Sequence, residues 1–206
     1  MKQLIERRFR NTKPPADPVG AALARLPDGV AGAWFSQPLI KAAVLVPLIE
    51  RESRLSVLLT QRTEHLDDHP GQISFPGGRA EPADAGPRQT ALREAREEIG
   101  LADELVSVVG YLDALAVVTG FVVTPVVGFV AADAEFTVDP FEVAEIFEVP
   151  LEFFMDDMNH RLGERNVNGY TLPFSEYHFE HRRIWGATAK IISDFIKTMK
   201  NKEISN

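Results

Sequence analysis

Three glutamates lie within five residues of one predicted helix. In the segment Arg93-Glu94-Ala95-Arg96-Glu97-Glu98-Ile99-Gly100-Leu101, a helical spacing of about 100° per residue puts Glu94, Glu97 and Glu98 within an arc of roughly 100°. Like charges at these spacings repel each other by a few tenths of a kcal/mol per pair. A hard divalent cation, which takes oxygen ligands, would relieve that repulsion. The pattern indicates a metal site, with a solvated acidic face relieved by neighbouring arginines as the alternative.

The residues around this helix predict where it begins and ends. Gly86-Pro87 suits the N-terminal boundary, because proline is tolerated in the first turn, and Gly100 suits the position just after a helix. Upstream, Phe75-Pro76-Gly77-Gly78-Arg79 contains two adjacent glycines, which let the backbone approach a ligand closely. These signals predict a strand, a glycine loop and a carboxylate-bearing helix of about four turns.

This arrangement resembles the box that defines the Nudix family, G-x5-E-x7-R-E-U-x-E-E-x-G-U, in which U is apolar. Gly78 opens the pattern, and residues 93–101 match its second half at every specified position. The first half departs from it, because Asp84 replaces the glutamate and eight rather than seven residues separate it from Arg93. A longer loop with aspartate resembles the variant in the coenzyme A pyrophosphatase branch of the family.

A second motif, upstream of the box, resembles the same branch. Its pattern is L-L-T-x-R-[SA]-x3-R-x3-G-x3-F-P-G-G, and the matching segments are Leu58-Leu59-Thr60-Gln61-Arg62-Thr63, Gly71 and Phe75-Pro76-Gly77-Gly78. Two positions differ, with Thr63 where serine or alanine is usual and Asp67 where arginine is usual. The charge reversal at Asp67 bears on coenzyme A recognition rather than on hydrolase chemistry. His65 or His69 could replace the missing cation, with ordinary loop histidines as the alternative.

The resemblance implies a pyrophosphatase that uses Mg²⁺ or Mn²⁺ while water attacks phosphorus. Glu94 and Glu98 are the first candidate metal ligands, because side chains at i and i+4 converge. Glu97 is a further ligand or the general base, and the sequence leaves that choice open. Arg93 is expected to orient a glutamate, and it completes a catalytic set with Glu97 and Glu98. The candidate substrate-binding residues are Arg62, Gly77 and Gly78.

The resemblance also suggests a substrate class and further ligands. It implies hydrolysis of a small-molecule diphosphate, either coenzyme A or an acyl derivative, to phosphopantetheine and 3′,5′-ADP. Another nucleoside diphosphate derivative is the alternative substrate, and a non-catalytic Nudix-fold nucleotide sensor is the alternative function. Many Nudix enzymes draw an additional acidic residue from a loop beyond the box, so Glu142 and Glu145 are candidates for that ligand.

Composition restricts the class of protein. The chain has 206 residues, of which 45% are hydrophobic, enough for a sizeable core. It has no cysteine, which excludes disulfides and thiolate metal sites. A net charge of −8 argues against nucleic-acid binding, and the lack of an apolar run of about 18 residues argues against a membrane span. A cytoplasmic protein is expected, with a transit peptide at the basic start as the alternative, and the resemblance allows a homodimer.

The predicted elements divide the chain into a leader, a body and a tail. The leader is residues 1–38, with a helix at 2–10 before a proline-rich segment; the Nudix domain is residues 39–200; the tail is residues 201–206. Strands are predicted at 42–49, 55–61, 105–115, 122–131 and 177–185, helices at 87–99, 151–157 and 187–200, and a helix or turn at 141–147. Strands interspersed with helices predict an α/β fold, and the resemblance sharpens this to a Nudix-type α/β/α sandwich around a mixed β-sheet.

Overall fold

Helices and strands alternate along the chain. The computed structural model describes residues 1–66, 69–167 and 169–201. Its helices are α1 (Lys2–Phe9), α2 (Pro18–Leu23), α3 (Val30–Trp34), α4 (Pro87–Ile99), α5 (Leu151–Met155) and α6 (Gly186–Lys200). Its strands are β1 (Ile40–Arg51), β2 (Arg54–Arg62), β3 (Ile73–Ser74), β4 (Gly77–Arg79), β5 (Val106–Tyr111), β6 (Leu115–Val117), β7 (Phe121–Val130), β8 (Val143–Pro150), β9 (His160–Val167), β10 (Tyr170–Phe179) and β11 (Arg182–Trp185).

A mixed β-sheet forms the centre of the molecule. β1 and β7 pair in parallel, from Ile40 opposite Phe121 to Ile49 opposite Val130. The remaining strands of this sheet pair antiparallel: β2 and β4 with β1, β5 and β6 with β7, and β3 and β8 with β2. β9, β10 and β11 form a second, antiparallel sheet. The parallel pair is covered on both faces, which is why its residues are apolar almost without interruption.

Side chains of β1 alternate between two hydrophobic cores. Leu45 belongs to the core that includes Ala95 and Ile99 of α4. Its neighbour Val46 belongs to the opposite core, which includes Phe195 of α6. Because successive side chains of a strand point to opposite faces, one helical layer covers each face of the sheet. The predicted α/β/α sandwich around a mixed sheet is confirmed.

The first helix packs against the folded body. Ile5 and Phe9 of α1 are fully buried, and the Phe9 ring stacks on Phe195 of α6 with 5.5 Å between ring centroids. The backbone N–H of Tyr111 donates to the hydroxyl of Thr12 at 2.7 Å. These contacts fasten α1 to both α6 and β5, so the core depends on residues from both ends of the chain.

Several predicted elements need correction. The segment 141–147, predicted as a helix or turn, is a turn up to Glu142 and then strand β8, because β2 offers an edge with which β8 pairs. The single strand predicted at 105–115 is interrupted, and β5 and β6 each pair with β7. The single strand predicted at 177–185 is the end of β10, a turn at Glu180 and β11. The elements β3, β4, β9, α2 and α3 lie outside every predicted element.

The last helix connects the core that contains Val46 and Phe195 to the edge of the main sheet. α6 has 15 residues, and the hydroxyl of Thr188 donates to the carbonyl of Ile73 in β3 at 2.9 Å. This bond holds β3 in place just after the loop that contains the upstream motif. Within the described ranges, no helix is long and apolar enough to cross a lipid bilayer.

Candidate active site

Two adjacent glycines allow close contacts of one short strand with both the sheet and α4. The predicted glycine loop is strand β4, in which Gly77 is opposite Val44 and Gly78 is opposite Ala43 of β1. A Cβ atom on Gly78 would lie 2.6 Å from the carboxylate of Glu94, and one on Gly77 would lie 2.4 Å from a backbone carbonyl of β1. A larger residue at Gly77 would therefore push β4 away from β1, and one at Gly78 would displace the Glu94 carboxylate.

Glu98 is the most deeply buried carboxylate of the site. Its side chain is 6% exposed, and it accepts one hydrogen bond, from the Gly77 backbone N–H at 3.1 Å. The nearest cation is Arg62, whose Nη1 lies 4.0 Å from Glu98 Oε1. Burial raises the pKa of Glu98 to about 8, and the negative charges of Glu94 and Glu142 act in the same direction. The surroundings of Glu98 would thus compensate its ionised form poorly and favour the protonated form.

The other two glutamates of the box share one guanidinium. Nη1 of Arg93 donates to Glu94 Oε1 at 2.9 Å and to Glu97 Oε2 at 3.0 Å. Burial raises the pKa of Glu94 even though Arg93 opposes that change. Glu97 lies at the surface, with 57% of its side chain exposed. The three carboxylates therefore form a gradient, from the buried Glu98 to the exposed Glu97.

Asp84 fixes Arg93 from the opposite side. Arg93 donates to Asp84 through Nε at 3.2 Å and through Nη2 at 3.1 Å. Asp84 also accepts from the Thr90 hydroxyl and from the Glu81 N–H, each at 2.9 Å. The hydrogen bonds from Arg93 are the main reason that the pKa of Asp84 falls to about 2. In this chain the shorter acidic side chain and the longer loop together bring a carboxylate onto Arg93, a contact that the departure from the box pattern could have indicated.

The two acidic candidates beyond the box have different surroundings. The charge of Glu142 raises the pKa of both Glu94 and Glu98, which brings Glu142 into the same electrostatic group. Glu145 forms an ion pair with Arg182 of β11 at 2.5 Å. Ile146 packs against the core that includes α4, and the side chain of the preceding residue points to the opposite face of the strand, so Glu145 points away from the box glutamates. The structure therefore brings Glu142, and not Glu145, towards the site.

Residues of the upstream motif surround the end of β2. Thr63 donates through its hydroxyl to the Phe141 carbonyl at 2.7 Å and through its N–H to the Glu142 carbonyl at 3.0 Å. His69 shares a hydrogen bond of 2.9 Å with Gln72, within its own loop. Asp67 lies outside the described residues. The threonine that departs from the branch pattern thus links the motif to the turn that carries Glu142.

The chemistry of these donors fits a hard divalent cation. Among the residues that the structure describes, no three acidic or histidine side chains lie close enough together to form a complete metal cage. When ionised, the half-buried Glu94 and the buried Glu98 nevertheless repel each other and Glu142. A cation that keeps several waters and takes its remaining oxygens from a substrate phosphate needs only one or a few carboxylates. Glu94, Glu98 and Glu97 could supply these.

Comparisons with known proteins agree with this geometry. The NUDIX domain model matches residues 39–166. A protein of Enterobacter sp. (strain 638), named "Uncharacterized Nudix hydrolase NudL", is 42% identical over 156 residues, which cover 75% of this chain and 80% of that protein. A protein of the same name from Yersinia pestis (strain Pestoides F) is 40% identical over 159 residues, which cover 77% of this chain and 79% of its own length.

A solved structure shares the fold. The crystal structure of a MutT/nudix family protein from Enterococcus faecalis superposes with a TM-score of 0.50 at 18% identity, covering 84% of this chain and 64% of that one. At this low identity, the superposition supports the fold and nothing more specific. The domain match and the two NudL relatives, together with the glutamates packed on Gly77 and Gly78, identify the protein: the chain belongs to the Nudix hydrolase family.

Proposed function

We propose that this Nudix hydrolase is a divalent-metal-dependent pyrophosphatase that cleaves coenzyme A or an acyl-coenzyme A to phosphopantetheine and 3′,5′-ADP. Nudix hydrolases act on diphosphate compounds and generally use divalent metal ions. The observation that carries the proposal is the poorly compensated Glu98, which faces Arg62 at 4.0 Å. Arg62 is part of the upstream motif that resembles the coenzyme A branch, so the motif and the box meet at one point.

The residues around Glu98 suit a substrate that carries negative charge. Glu94 and Glu98 would hold Mg²⁺ or Mn²⁺, with Glu97 as a further ligand or as the group that accepts the proton of the attacking water. A bound cation would offset the charge of the diphosphate as the phosphorus is attacked. The Gly77 N–H donates to Glu98, Gly78 leaves room for the Glu94 carboxylate, and Arg93 holds Glu94 and Glu97 in position.

Arg62 is the proposed contact to the diphosphate. Its Nε is buried and has no hydrogen-bond partner among the residues that the structure describes, and its pairing with Glu98 is at the limit of an ion pair. A guanidinium with unused donors can form paired hydrogen bonds with phosphate oxygens. Arg93, in contrast, has its donors occupied by carboxylates and a carbonyl, which supports a positioning role.

A panel of diphosphates tests the proposal. The purified chain is incubated with Mg²⁺ or Mn²⁺ and with coenzyme A, acetyl-coenzyme A, dephospho-coenzyme A, NADH, ADP-ribose or nucleoside triphosphates, and the products are separated by chromatography. Phosphopantetheine and 3′,5′-ADP from coenzyme A are the expected products. Preferred cleavage of another member would transfer the proposal to that nucleoside diphosphate derivative. Binding of one member with no cleavage of any would favour a nucleotide sensor.

Three further expectations remain predictions from the sequence. They are a cytoplasmic location, a homodimer and the absence of nucleic-acid binding. Light scattering of the purified protein measures its oligomeric state, and a gel-shift assay with duplex DNA or RNA measures nucleic-acid binding.

A further inference from the structure

The turn that precedes β8 presents a phenylalanine to solvent. The Phe141 side chain is 63% exposed, and it is the aromatic member among the exposed large hydrophobic side chains in the described part of the chain. A single exposed apolar residue is common and by itself needs no explanation. Phe141 differs from the usual case in how firmly its backbone is held and in what lies beside it.

Hydrogen bonds fix the backbone of Phe141 on both sides. Its N–H donates to Asp139 Oδ1 at 2.8 Å, and its carbonyl accepts from the Thr63 hydroxyl at 2.7 Å. The N–H of Asp139 in turn donates to the carbonyl of Glu98 at 2.9 Å. The turn is therefore anchored both to the upstream motif and to the end of α4. The backbone that carries the exposed Phe141 ring is therefore held in one conformation.

A second ring supports Phe141 from its edge. The His65 and Phe141 ring centroids are 4.8 Å apart, and the ring planes cross at 60°. This edge contact is favourable for two aromatic rings, and the exposed fraction of Phe141 shows that the phenyl ring remains accessible. The next residue, Glu142, acts electrostatically on Glu94 and Glu98. The aromatic pair therefore lies beside the carboxylate group of the site.

We propose that Phe141, supported by His65, stacks on the nucleobase of the substrate while the diphosphate lies at the glutamates. This inference rests on the proposed function, because it assumes a nucleoside diphosphate compound. Asp139 and Glu142, the acidic neighbours of Phe141, disfavour an anionic group at the ring. A neutral planar base, in contrast, can stack on a phenyl ring. Every base has such a face, so Phe141 contributes affinity for a base without selecting one base over another.

Two probes that differ only in the base test this assignment. AMP and ribose 5-phosphate carry the same sugar and phosphate, and calorimetry in the presence of Mg²⁺ measures the affinity of the full chain for each. We expect Phe141→Ala and Phe141→Leu to weaken AMP binding by about tenfold and to leave ribose 5-phosphate binding unchanged. Phe141→Tyr, which keeps an aromatic face, retains AMP binding. Leu162→Ala removes another exposed apolar side chain, 74% exposed in β9, and serves as the unchanged control.

Two results would overturn the stacking role. The first is AMP binding that stays the same in Phe141→Ala, and the second is an equal loss of AMP and ribose 5-phosphate. The binding measurement needs no turnover, so it is independent of the diphosphate panel. If the wild-type chain cleaves no diphosphate but Phe141→Ala selectively loses AMP, the proposed hydrolase activity fails and the stacking role stands.

Discussion

The two ends of the acidic face of α4 hold their charges differently. At one end, Arg93 donates to the carboxylates of Asp84, Glu94 and Glu97 and to the Arg79 carbonyl. At the other end, the contacts of Glu98 with the described residues are one hydrogen bond from a backbone N–H and an ion pair with Arg62 at 4.0 Å. We call Arg93 with Asp84, Glu94 and Glu97 the compensated cluster. We call Glu98 with Arg62 the uncompensated corner.

The pKa values of the two ends shift in opposite directions. Hydrogen bonds from Arg93 lower the pKa of Asp84 to about 2, whereas burial raises the pKa of Glu98 to about 8. In the compensated cluster, the ionised form of Asp84 therefore stabilises the fold. At the uncompensated corner, stability is lost in order to keep a carboxylate close to the position of the ligand. The difference separates Asp84 and Arg93, which position their neighbours through hydrogen bonds, from Glu98, whose charge is left for a ligand to compensate.

The largest predicted effect is on the stability of the metal-free protein. The pKa of Glu98 is raised from about 4.5 to about 8 on folding, so its stabilising protonated form is fully present below pH 4.5. Stability is lost as the pH rises from 4.5 through 8, by on the order of 5 kcal/mol. Urea unfolding with EDTA, across this pH range, measures the loss. Glu98→Gln should flatten the profile relative to wild type, and parallel profiles for the two proteins would contradict the burial argument.

A second prediction concerns catalysis at the same corner. Glu98→Gln keeps the size of the side chain and removes the charge, so we expect kcat to fall at least roughly 10²-fold. Steady-state hydrolysis of the best substrate of the panel measures it. Glu104→Gln, at an exposed position after α4, is the matched control and should keep wild-type turnover. Near-normal turnover in Glu98→Gln would remove Glu98 from the list of metal ligands.

A substitution in the compensated cluster should lower the free energy of unfolding, and not only the rate of catalysis. Asp84→Asn removes the negative charge from a side chain that is 3% exposed and pairs with Arg93. We expect the free energy of unfolding to fall by about 2 kcal/mol and no more, because Arg93 keeps its other partners. Asp103→Asn breaks a second aspartate–arginine pair of α4, with Arg96 at 3.2 Å, that is half exposed. That control should change stability by no more than about 0.5 kcal/mol. Equal losses in the two variants, measured by urea unfolding at neutral pH, would erase the distinction between the buried and the exposed pair.

The smallest predicted effect tests the cation of the uncompensated corner. Arg62→Ala should raise KM about tenfold, because a charge-assisted hydrogen bond to phosphate is lost, and Arg62→Lys should recover part of that loss. Arg54→Ala, at the exposed start of the same strand, is the control. An unchanged KM in Arg62→Ala would mean that Arg62 serves only to neutralise Glu98.

The sequence predicts the catalytic helix well because its signals are local. Pro87 at its start and Gly100 just after its end set its limits, and both lie where predicted. The central strands β1 and β7 are equally readable, since both of their faces are apolar. The α/β/α fold therefore follows from these segments together with the family resemblance.

The elements that were predicted wrongly depend on distant partners. The charged start of β8 gives no strand signal of its own, and it becomes a strand because β2 offers an edge. Glu142 lies in the turn before β8 and Glu145 lies within the strand, so residue type alone could not decide between them. Asp84 pairs with Arg93 only because the loop folds back on α4, a contact that the sequence shows solely as an unusual spacing.

The stacking of Phe9 on Phe195 has a consequence for the synthesis of this enzyme. Phe9 leaves the ribosome among the first residues of the core, whereas Phe195 is among the last. At about 5–20 residues per second, roughly 10–40 s separate them. During that interval α1 can contact β5 but not α6. The apolar side of α1 is therefore covered completely only after α6 has been synthesised, so the packing of α1 is a late event in folding.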